Sequence, residues 1–276
     1  MKLKKIYRNI QKRLEILFFK AISKIFKKLN YNYKIIPSSE EIINPNLEYA
    51  KQNRRFIYKI PSKKFSKVIT DTTHYNSELC KIGANFGTNK SSLNLMGHRS
   101  GYTPFYDILF NNIKNKKINL AEIGIEKNAS TKMWRKYFKK AWICGFEYDE
   151  EKINNAKKHK LYNTNYYKID VSLKSSIKNS FKRMNKKFDI IIDDSTHIFK
   201  DQINIIKEAR NFLKKEGILI IEDIYKFRVN HKEEKYYDAI KPFQNKFEKI
   251  YFVEFYNLNN FTASWRCEKL LILINK

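Results

Sequence analysis

Residues 188–197 read FDIIIDDSTH, and residues 217–224 read GILIIEDI. Each stretch contains an unbroken apolar run of strand length that leads into carboxylates. Such runs are typical of strands buried on both faces of a parallel sheet. Carboxylates at their ends are costly unless a cation, a ligand or hydrogen bonds satisfy them, and open α/β sheets bind ligands at this edge. The first candidates for chemistry are therefore four side chains: Asp194, His197, Glu222 and Asp223.

Helix-length segments separate most of the strand-length runs on either side of these two stretches. The other predicted strands are residues 118–123, 141–146, 166–169, 249–256 and 269–274. Strands that alternate with helices indicate βαβ units and a parallel sheet with helices on both faces. We therefore expect an α/β fold with a Rossmann-like, doubly wound, seven-stranded and mostly parallel sheet, whose last strand is antiparallel.

Length and composition favour a folded protein with a full core. The chain has 276 residues, of which 42% are apolar and 15% aromatic, and this argues against disorder. Three widely separated cysteines indicate reduced thiols in a cytoplasmic protein. The net charge of +28 favours anionic partners such as nucleic acid, a membrane surface or phosphorylated substrates. Because Lys, Asn and Ile are abundant throughout, composition alone explains this charge equally well.

Residues 1–30 have the pattern of a basic amphipathic helix. They carry ten basic side chains and a single acid, Glu15, and their apolar residues recur every three or four positions. Such a helix suits the surface of an anionic membrane. The alternatives are that it packs on its own domain or on a second subunit, or that it binds nucleic acid. The segment has neither a cleavage site nor the length of a membrane span. Residues 31–76 are predicted as a connector, which would supply a lid or a homo-oligomer interface, and residues 77–276 as the main domain.

The first predicted strand of the main domain opens into a glycine turn. Residues 122–130 read EIGIEKNAS and lead into a helix, which is the layout of a nucleotide- or sulfonium-binding loop. Gly124 would let the backbone approach a ligand closely, and Ser130 would cap the helix. Glu147 ends the next strand, where it would accept from ribose hydroxyls, and Asp170 ends the third. An ordinary turn, or an NAD site, is the alternative.

These motifs resemble those of class I S-adenosylmethionine-dependent methyltransferases. The resemblance rests on residues 121–125 (AEIGI) and 145–147 (GFE). More narrowly, the chain is similar to metal-dependent sugar O-methyltransferases of the macrocin and mycinamicin type. Residues that carry this similarity are 193–197 (DDSTH), 221–223 (IED), 131–134 (TKMW) and 86–90 (FGTNK), with His98 and Tyr102 beyond them. The resemblance covers about residues 78–274.

The resemblance implies a role for each matching residue. A divalent cation, which we expect to be Mg²⁺, would be bound by Asp194, Glu222 and Asp223, and His197 would be the general base. S-adenosylmethionine would contact Glu122, Gly124, Ile125, Ser130, Glu147, Tyr148, Asp170, Val171 and Asp193. Alternatively, His197 is a structural hydrogen-bonding residue and not the base, and Glu222 and Asp223 pair with lysines instead of binding a metal. Hard oxygen ligands suit Mg²⁺, and a cation beside a sugar hydroxyl lowers the pKa of that hydroxyl.

The sequence departs from the family pattern at four positions. Ser195, Glu126 and Asn128 replace glycines, although Asn tolerates left-handed backbone angles better than most residues. Asn89 replaces the usual Asp and is assigned no role. Arg266 is expected to face the pocket.

The function expected from these features is methyl transfer to a sugar hydroxyl. The acceptor would be a bacterial surface-glycan precursor, from capsule or lipooligosaccharide, or another small polar molecule, and the enzyme would work in the cytoplasm at the inner face of the membrane. One alternative is a nucleic-acid methyltransferase, which charge alone supports, because no Asn/Asp-Pro-Pro-Tyr motif follows the fourth strand. A non-catalytic membrane-associated protein and an NAD-dependent enzyme are the others.

Overall fold

The computed structural model describes residues 32–36, 56–60, 64–94, 99–225, 228–257 and 268–276. The helix predicted for residues 1–30 lies outside the described residues, as do His98 and Arg266. The chain divides into two units, residues 1–65 and 66–276. In the first unit, two strands pair antiparallel, β1 (Asn32–Ile36) and β2 (Phe56–Ile60), within the segment for which the sequence predicts only a connector.

The main unit is built on an eight-stranded sheet. Its strands are β3 (Phe65–Asp71), β4 (Asn119–Ile123), β5 (Trp142–Glu147), β6 (Thr164–Lys168), β7 (Phe188–Asp193), β8 (Leu213–Tyr225), β9 (Phe247–Tyr256) and β10 (Glu268–Asn275). They lie in the order β3-β9-β10-β8-β7-β4-β5-β6. Strands β4 to β8 run parallel to their neighbours in that group, and β10 is antiparallel to both β8 and β9. The expected Rossmann-like, mostly parallel sheet is confirmed.

Seven helices of the described chain flank this sheet. They are α1 (Glu78–Asn85), α2 (Thr103–Phe110), α3 (Ala129–Tyr137), α4 (Glu150–Lys158), α5 (Lys174–Arg183), α6 (Phe199–Ala209) and α7 (Glu233–Ile240). Short 3-10 turns are Arg210–Phe212, Val229–His231 and Lys241–Lys246. No helix in the described ranges combines the length and apolar character that crossing a bilayer requires.

The strand order reverses at β4, and this reversal positions the site. From β4 the chain adds β5 and β6 on one side, and then returns to add β7 and β8 on the other. The chain therefore leaves β4 towards β5 and leaves β7 towards β8, and this reversal opens a crevice at the carboxyl edge of the sheet, where α/β proteins bind ligands.

The continuous apolar runs of the sequence are buried, as their pattern predicts, and β7 is an example. The last four residues of β7, Ile190 to Asp193, are all buried, so both faces of the strand are covered. On one face, Ile190 and Ile192 pack in a core to which α1, α2 and α3 contribute, with Trp134 and Tyr106 among its fully buried side chains. Burial of this continuous apolar surface stabilises the fold at roughly 25 cal/mol per Å².

The eighth strand is a correction to the predicted seven. Strand β3 lies at the edge of the sheet, and most of its residues are only partly buried. Because an edge strand with one covered face needs no continuous apolar run, its sequence FSKVITD does not have the signature of the central strands. The seven strands that the sequence predicts correspond to β4 to β10.

Candidate active site

A cavity of about 620 Å³ lies at the carboxyl ends of β4, β5 and β7. Its volume is within the range of small-molecule sites, about 300–1,000 Å³. The predicted residues that line it are Gly124, Ile125, Ser130, Glu147, Tyr148, Val171, Asp194 and His197. The candidate cofactor loop and the candidate catalytic loop therefore adjoin a single cavity.

The loop after β4 depends on left-handed backbone angles. Gly124 has a φ of +87°, and a Cβ placed on it would lie 2.2 Å from the carbonyl oxygen of Asp194. Glu126 and Asn128, which replace family glycines, adopt φ values of 42° and 64°. The sequence predicted that Gly124 lets a ligand approach, but the neighbour it admits is the backbone that carries Asp194.

The predicted cap of helix α3 is wrong. The N-cap residue is Asn128, whose left-handed backbone ends the loop, and Ser130 lies inside the first turn. The buried Asn128 side chain hydrogen-bonds the hydroxyl of Tyr166 and so ties the loop to β6. Ser130 still lines the cavity.

The carboxylate of Glu147 binds the backbone of two loops. One oxygen accepts from the N–H groups of Ile125 and Glu126, at 3.2 and 3.1 Å, and the other from those of Tyr148 and Asp149, at 2.8 and 3.3 Å. Glu147 therefore fixes the loop after β4 against the end of β5, besides lining the cavity where the sequence predicts a ribose contact.

Three residues predicted to contact the cofactor do not line the cavity. Glu122 is fully buried and accepts from Thr131 and Trp134, so it anchors helix α3. Asp170 accepts from the backbone and hydroxyl of Ser172. Asp193 binds the hydroxyl of Ser195, and burial raises its pKa to about 6. Glu122 thus has a supporting position, because both of its oxygens are bound inside the protein. One oxygen of Asp170 and one of Asp193 are bound by neighbouring serines, and the contact of these two residues with the cofactor stays a prediction.

Lys90 lies at the centre of the acidic cluster. Its side chain is 1% exposed, and its ammonium donates to one oxygen of Asp194 and to Oε2 of Glu222. Burial alone would lower the pKa of Lys90, but the carboxylates of Asp194 and Glu222 raise it above its ordinary value. The two carboxylates therefore favour the charged ammonium form of Lys90.

An irregularity in β8 places Glu222 and Asp223 on the same side. In a regular strand, adjacent side chains point to opposite faces. Here Asp223 has a φ of 56°, and the pairing with β10 shifts register at this point. As a result, Tyr106 on α2 donates to Oε1 of Glu222 at 2.6 Å, and Tyr102 before α2 donates to Oδ1 of Asp223 at 2.6 Å. Bulges of this kind re-aim side chains next to active sites.

His197 faces the two aspartates. Its Nε2 lies 3.4 Å from Oδ2 of Asp223 and 3.9 Å from Oδ1 of Asp194, and the three ligand atoms of this group lie within 4.8 Å of one another. The other ring nitrogen, Nδ1, is buried with no hydrogen-bond partner among the described residues. Glu222 lies outside this group, and its two oxygens are bound by Tyr106 and Lys90.

His231 supports the catalytic loop from behind. It is 3% exposed, its Nδ1 accepts from the backbone N–H of Tyr225, and its ring stacks on that of Tyr225, which also contacts the ring of His197. Burial, and then the charge of Arg228, lower its pKa to about 4.

We expect this lowered pKa of His231 to make the fold sensitive to acid. Because the unfolded chain binds the proton below about pH 6.5 and the folded one only below about pH 4, stability falls as the pH drops through this window, by about 3 kcal/mol in total. Urea unfolding at pH 7 and pH 4.5 should show a smaller loss for His231→Asn than for the wild type. Equal losses in the two proteins would contradict the prediction.

The sequence analysis missed three residues of the cluster: Lys90, Tyr102 and Tyr106. Lys90 and Tyr102 stand in the segments that carried the family resemblance, so a signal was present, but it named no role. Tyr106 follows Tyr102 by one helical turn, which places both hydroxyls on the same face of α2. Only the contact with β8 shows their partners.

Comparisons with known proteins place this geometry in context. Residues 126–260 match the family model described as a methyltransferase domain. A Streptomyces olivaceus protein, 8-demethyl-8-(2-methoxy-alpha-L-rhamnosyl)-tetracenomycin-C 3'-O-methyltransferase, is 26% identical over 134 residues, which are 45% of this chain and 32% of that protein. The structure of MycE methyltransferase from the mycinamycin biosynthetic pathway, in complex with Mg, SAH and mycinamycin VI, aligns with a TM-score of 0.55 and 14% identity over 73% of this chain and 55% of its own.

A second MycE structure, in complex with Mg and SAH, gives the same TM-score of 0.55 at 14% identity, over 72% of this chain and 55% of its own. At this identity the structural similarity shows the fold. The chain spans about a third of the length of its curated relative. The methyltransferase recognition made from the sequence is confirmed over residues 126–260, which match the methyltransferase domain model, and the structural similarity confirms the Rossmann-like fold.

Proposed function

We propose that this protein is an S-adenosylmethionine-dependent O-methyltransferase that acts on a sugar hydroxyl. One observation carries the proposal. The loop around Gly124 and the cluster of Asp194 and His197 line the same cavity, so a methyl donor and an acceptor hydroxyl can meet there.

The residues of the cavity fit S-adenosylmethionine. Ile125, Ile169 and Val171 offer apolar surface, and Tyr148 lies at the end of β5 beside Glu147. The helix α3 directs its N-terminus at the cavity through Ala129 and Ser130. These residues would hold the cofactor, with Glu147 at the position from which a ribose is recognised.

Two aspartates beside His197 fit a divalent cation. Oδ1 of Asp194 and Oδ2 of Asp223 face Nε2 of His197, whereas the hydrogen bonds from Lys90 and Tyr102 go to the other oxygen of each carboxylate. Hard carboxylate oxygens favour Mg²⁺, which retains water or substrate oxygens as its remaining ligands. The residues we propose to hold it are Asp194 and Asp223.

The mechanism follows from the position of His197. When bound, S-adenosylmethionine would supply an electrophilic methyl group, and a cation would lower the pKa of an acceptor hydroxyl. Nε2 of His197 removes the hydroxyl proton. The oxygen then forms a bond to the methyl carbon as the carbon–sulfur bond breaks, and the electron pair stays on sulfur. Asp194 and Asp223 orient the hydroxyl and stabilise the imidazolium of His197.

The acceptor we propose is a sugar of a surface-glycan precursor, of capsule or lipooligosaccharide. The name of the Streptomyces olivaceus relative describes an O-methyltransferase of a rhamnosyl-bearing compound, and this supports a sugar acceptor. The basic amphipathic pattern of residues 1–30 supports a substrate presented at an anionic membrane surface.

We expect S-adenosylmethionine to bind with a dissociation constant below about 1 mM, measured by isothermal titration calorimetry. Val171→Trp should abolish binding, because Val171 lines the cavity and the indole would fill it. Leu173→Trp is the matched control, since Leu173 is 54% exposed and is not part of the lining. If folded wild-type protein does not bind S-adenosylmethionine, the proposal is rejected. If it binds NAD instead, an NAD-dependent enzyme becomes the better interpretation.

A further inference from the structure

Lys90 brings a positive charge to a place where the family resemblance predicts a metal ion. The resemblance assigns Asp194, Glu222 and Asp223 together to the cation. Of these three carboxylates, Glu222 is 1% exposed, and both of its oxygens are already bound, Oε1 by the Tyr106 hydroxyl and Oε2 by the Lys90 ammonium.

We propose that Lys90 is a built-in cation that serves as the counter-ion of Glu222, so that a divalent cation binds Asp194 and Asp223 and not Glu222. This inference rests on the proposed function, because the proposed function is what calls for a divalent cation. It makes Lys90 and Glu222 an internal ion pair that lies beside the cation site and is not part of it.

The hydrogen bonds assign each carboxylate oxygen in turn. Lys90 takes one oxygen of Asp194, and Tyr102 takes Oδ1 of Asp223. The remaining oxygens, Oδ1 of Asp194 and Oδ2 of Asp223, both point towards His197 at 3.9 and 3.4 Å. A cation that replaced Lys90 at Glu222 would leave the buried ammonium with a single carboxylate, that of Asp194, and would place two positive charges side by side, which is unfavourable.

Lys90 joins two elements of the site, because its ammonium bridges Asp194, which follows β7, and Glu222 in β8. The lysine also lies in the segment that contributes Gly87, Thr88 and Asn89 to the cavity lining, so the same ion pairs attach that segment to β7 and β8.

Two double variants of equal charge test the proposal. Lys90→Met/Glu222→Gln removes the internal ion pair, and Lys90→Met/Asp223→Asn removes the same ammonium together with a proposed ligand. Each removes one positive and one negative charge, so long-range electrostatics are matched. The probe is Mn²⁺, which prefers similar oxygen ligands to Mg²⁺, and free Mn²⁺ is measured by electron paramagnetic resonance during titration.

We expect the Lys90→Met/Glu222→Gln protein to bind Mn²⁺ within about threefold of the wild type and the Lys90→Met/Asp223→Asn protein to bind it about tenfold more weakly or worse. A tenfold loss in the first variant would overturn the proposal, because Glu222 would then be a ligand. Circular dichroism and thermal unfolding verify that both variants fold.

A measurement on the wild type does not depend on the variants. In a crystal structure with Mn²⁺, we expect the anomalous signal beside Asp194 and Asp223, with Lys90 still bound to Glu222. Mn²⁺ coordinated by Glu222, or wild-type protein that binds no Mn²⁺, would overturn the inference. Calorimetry with S-adenosylmethionine decides the methyltransferase proposal separately.

Discussion

Replacement of Gly124 by alanine is expected to lower the free energy of unfolding by about 3 kcal/mol or more. The added Cβ would lie 2.2 Å from the Asp194 carbonyl oxygen and 2.9 Å from the Cα of Ser195, and these are backbone atoms that cannot rotate away. The loop that carries Asp194 must therefore move. We expect S-adenosylmethionine binding and the geometry of the carboxylates to be lost together.

Gly87 provides the matched control for this substitution. It also has a positive φ, of 70°, but a Cβ there would meet no atom within 4 Å. Gly87→Ala should therefore lower the free energy of unfolding only by the cost of a left-handed alanine, about 1 kcal/mol. Urea unfolding of the two variants separates steric contact from backbone strain. Similar losses of stability would show that the contact between the loops after β4 and β7 is not important.

The central sheet could be predicted from the sequence because its pattern is local. Strands buried on both faces require continuous apolar runs, and β7 and β8 contain the clearest of them. The left-handed angles at Glu126 and Asn128 show why missing glycines did not disrupt the loop after β4. The edge strand β3 carries no such run, and the sequence did not reveal it.

The partners of the acidic cluster could not be predicted, because they depend on tertiary contacts. Lys90 is separated from Glu222 by more than a hundred residues, and no periodicity connects them. In a chain with 56 basic residues, a single lysine is interpreted from the sequence alone as a surface charge. The irregularity that turns Asp223 towards Tyr102 is likewise a property of the pairing between β8 and β10.

Glu122, Asp170 and Asp193 show a related limit of sequence reasoning. All three are acids near strand ends, where the topology does bring ligands. Yet each is bound to a neighbour on the next loop or helix, as Glu122 is to Thr131 and Trp134. Position at the carboxyl edge of a sheet thus predicts the location of a site better than it predicts which carboxylates face it.

The largest loss of activity is expected from His197→Asn. His197 has a φ of 54°, and asparagine is among the few residues that tolerate this conformation, so the loop should keep its shape. Without the imidazole, no group in the cluster of Asp194 and Asp223 accepts the hydroxyl proton as effectively at neutral pH. We expect kcat to fall by about 10²–10⁴-fold in transfer of a tritiated methyl group from S-adenosylmethionine to monosaccharides and nucleotide-linked sugars.

The same variant should leave the cofactor side of the cavity intact. Calorimetric titration is therefore expected to give a dissociation constant for S-adenosylmethionine close to that of the wild type, because the loop around Gly124 is unchanged. His74→Asn is the matched control, since His74 is exposed and does not line the cavity. A His197→Asn enzyme that retains wild-type kcat would exclude His197 as the base and leave the two aspartates as the remaining proton acceptors in the cluster.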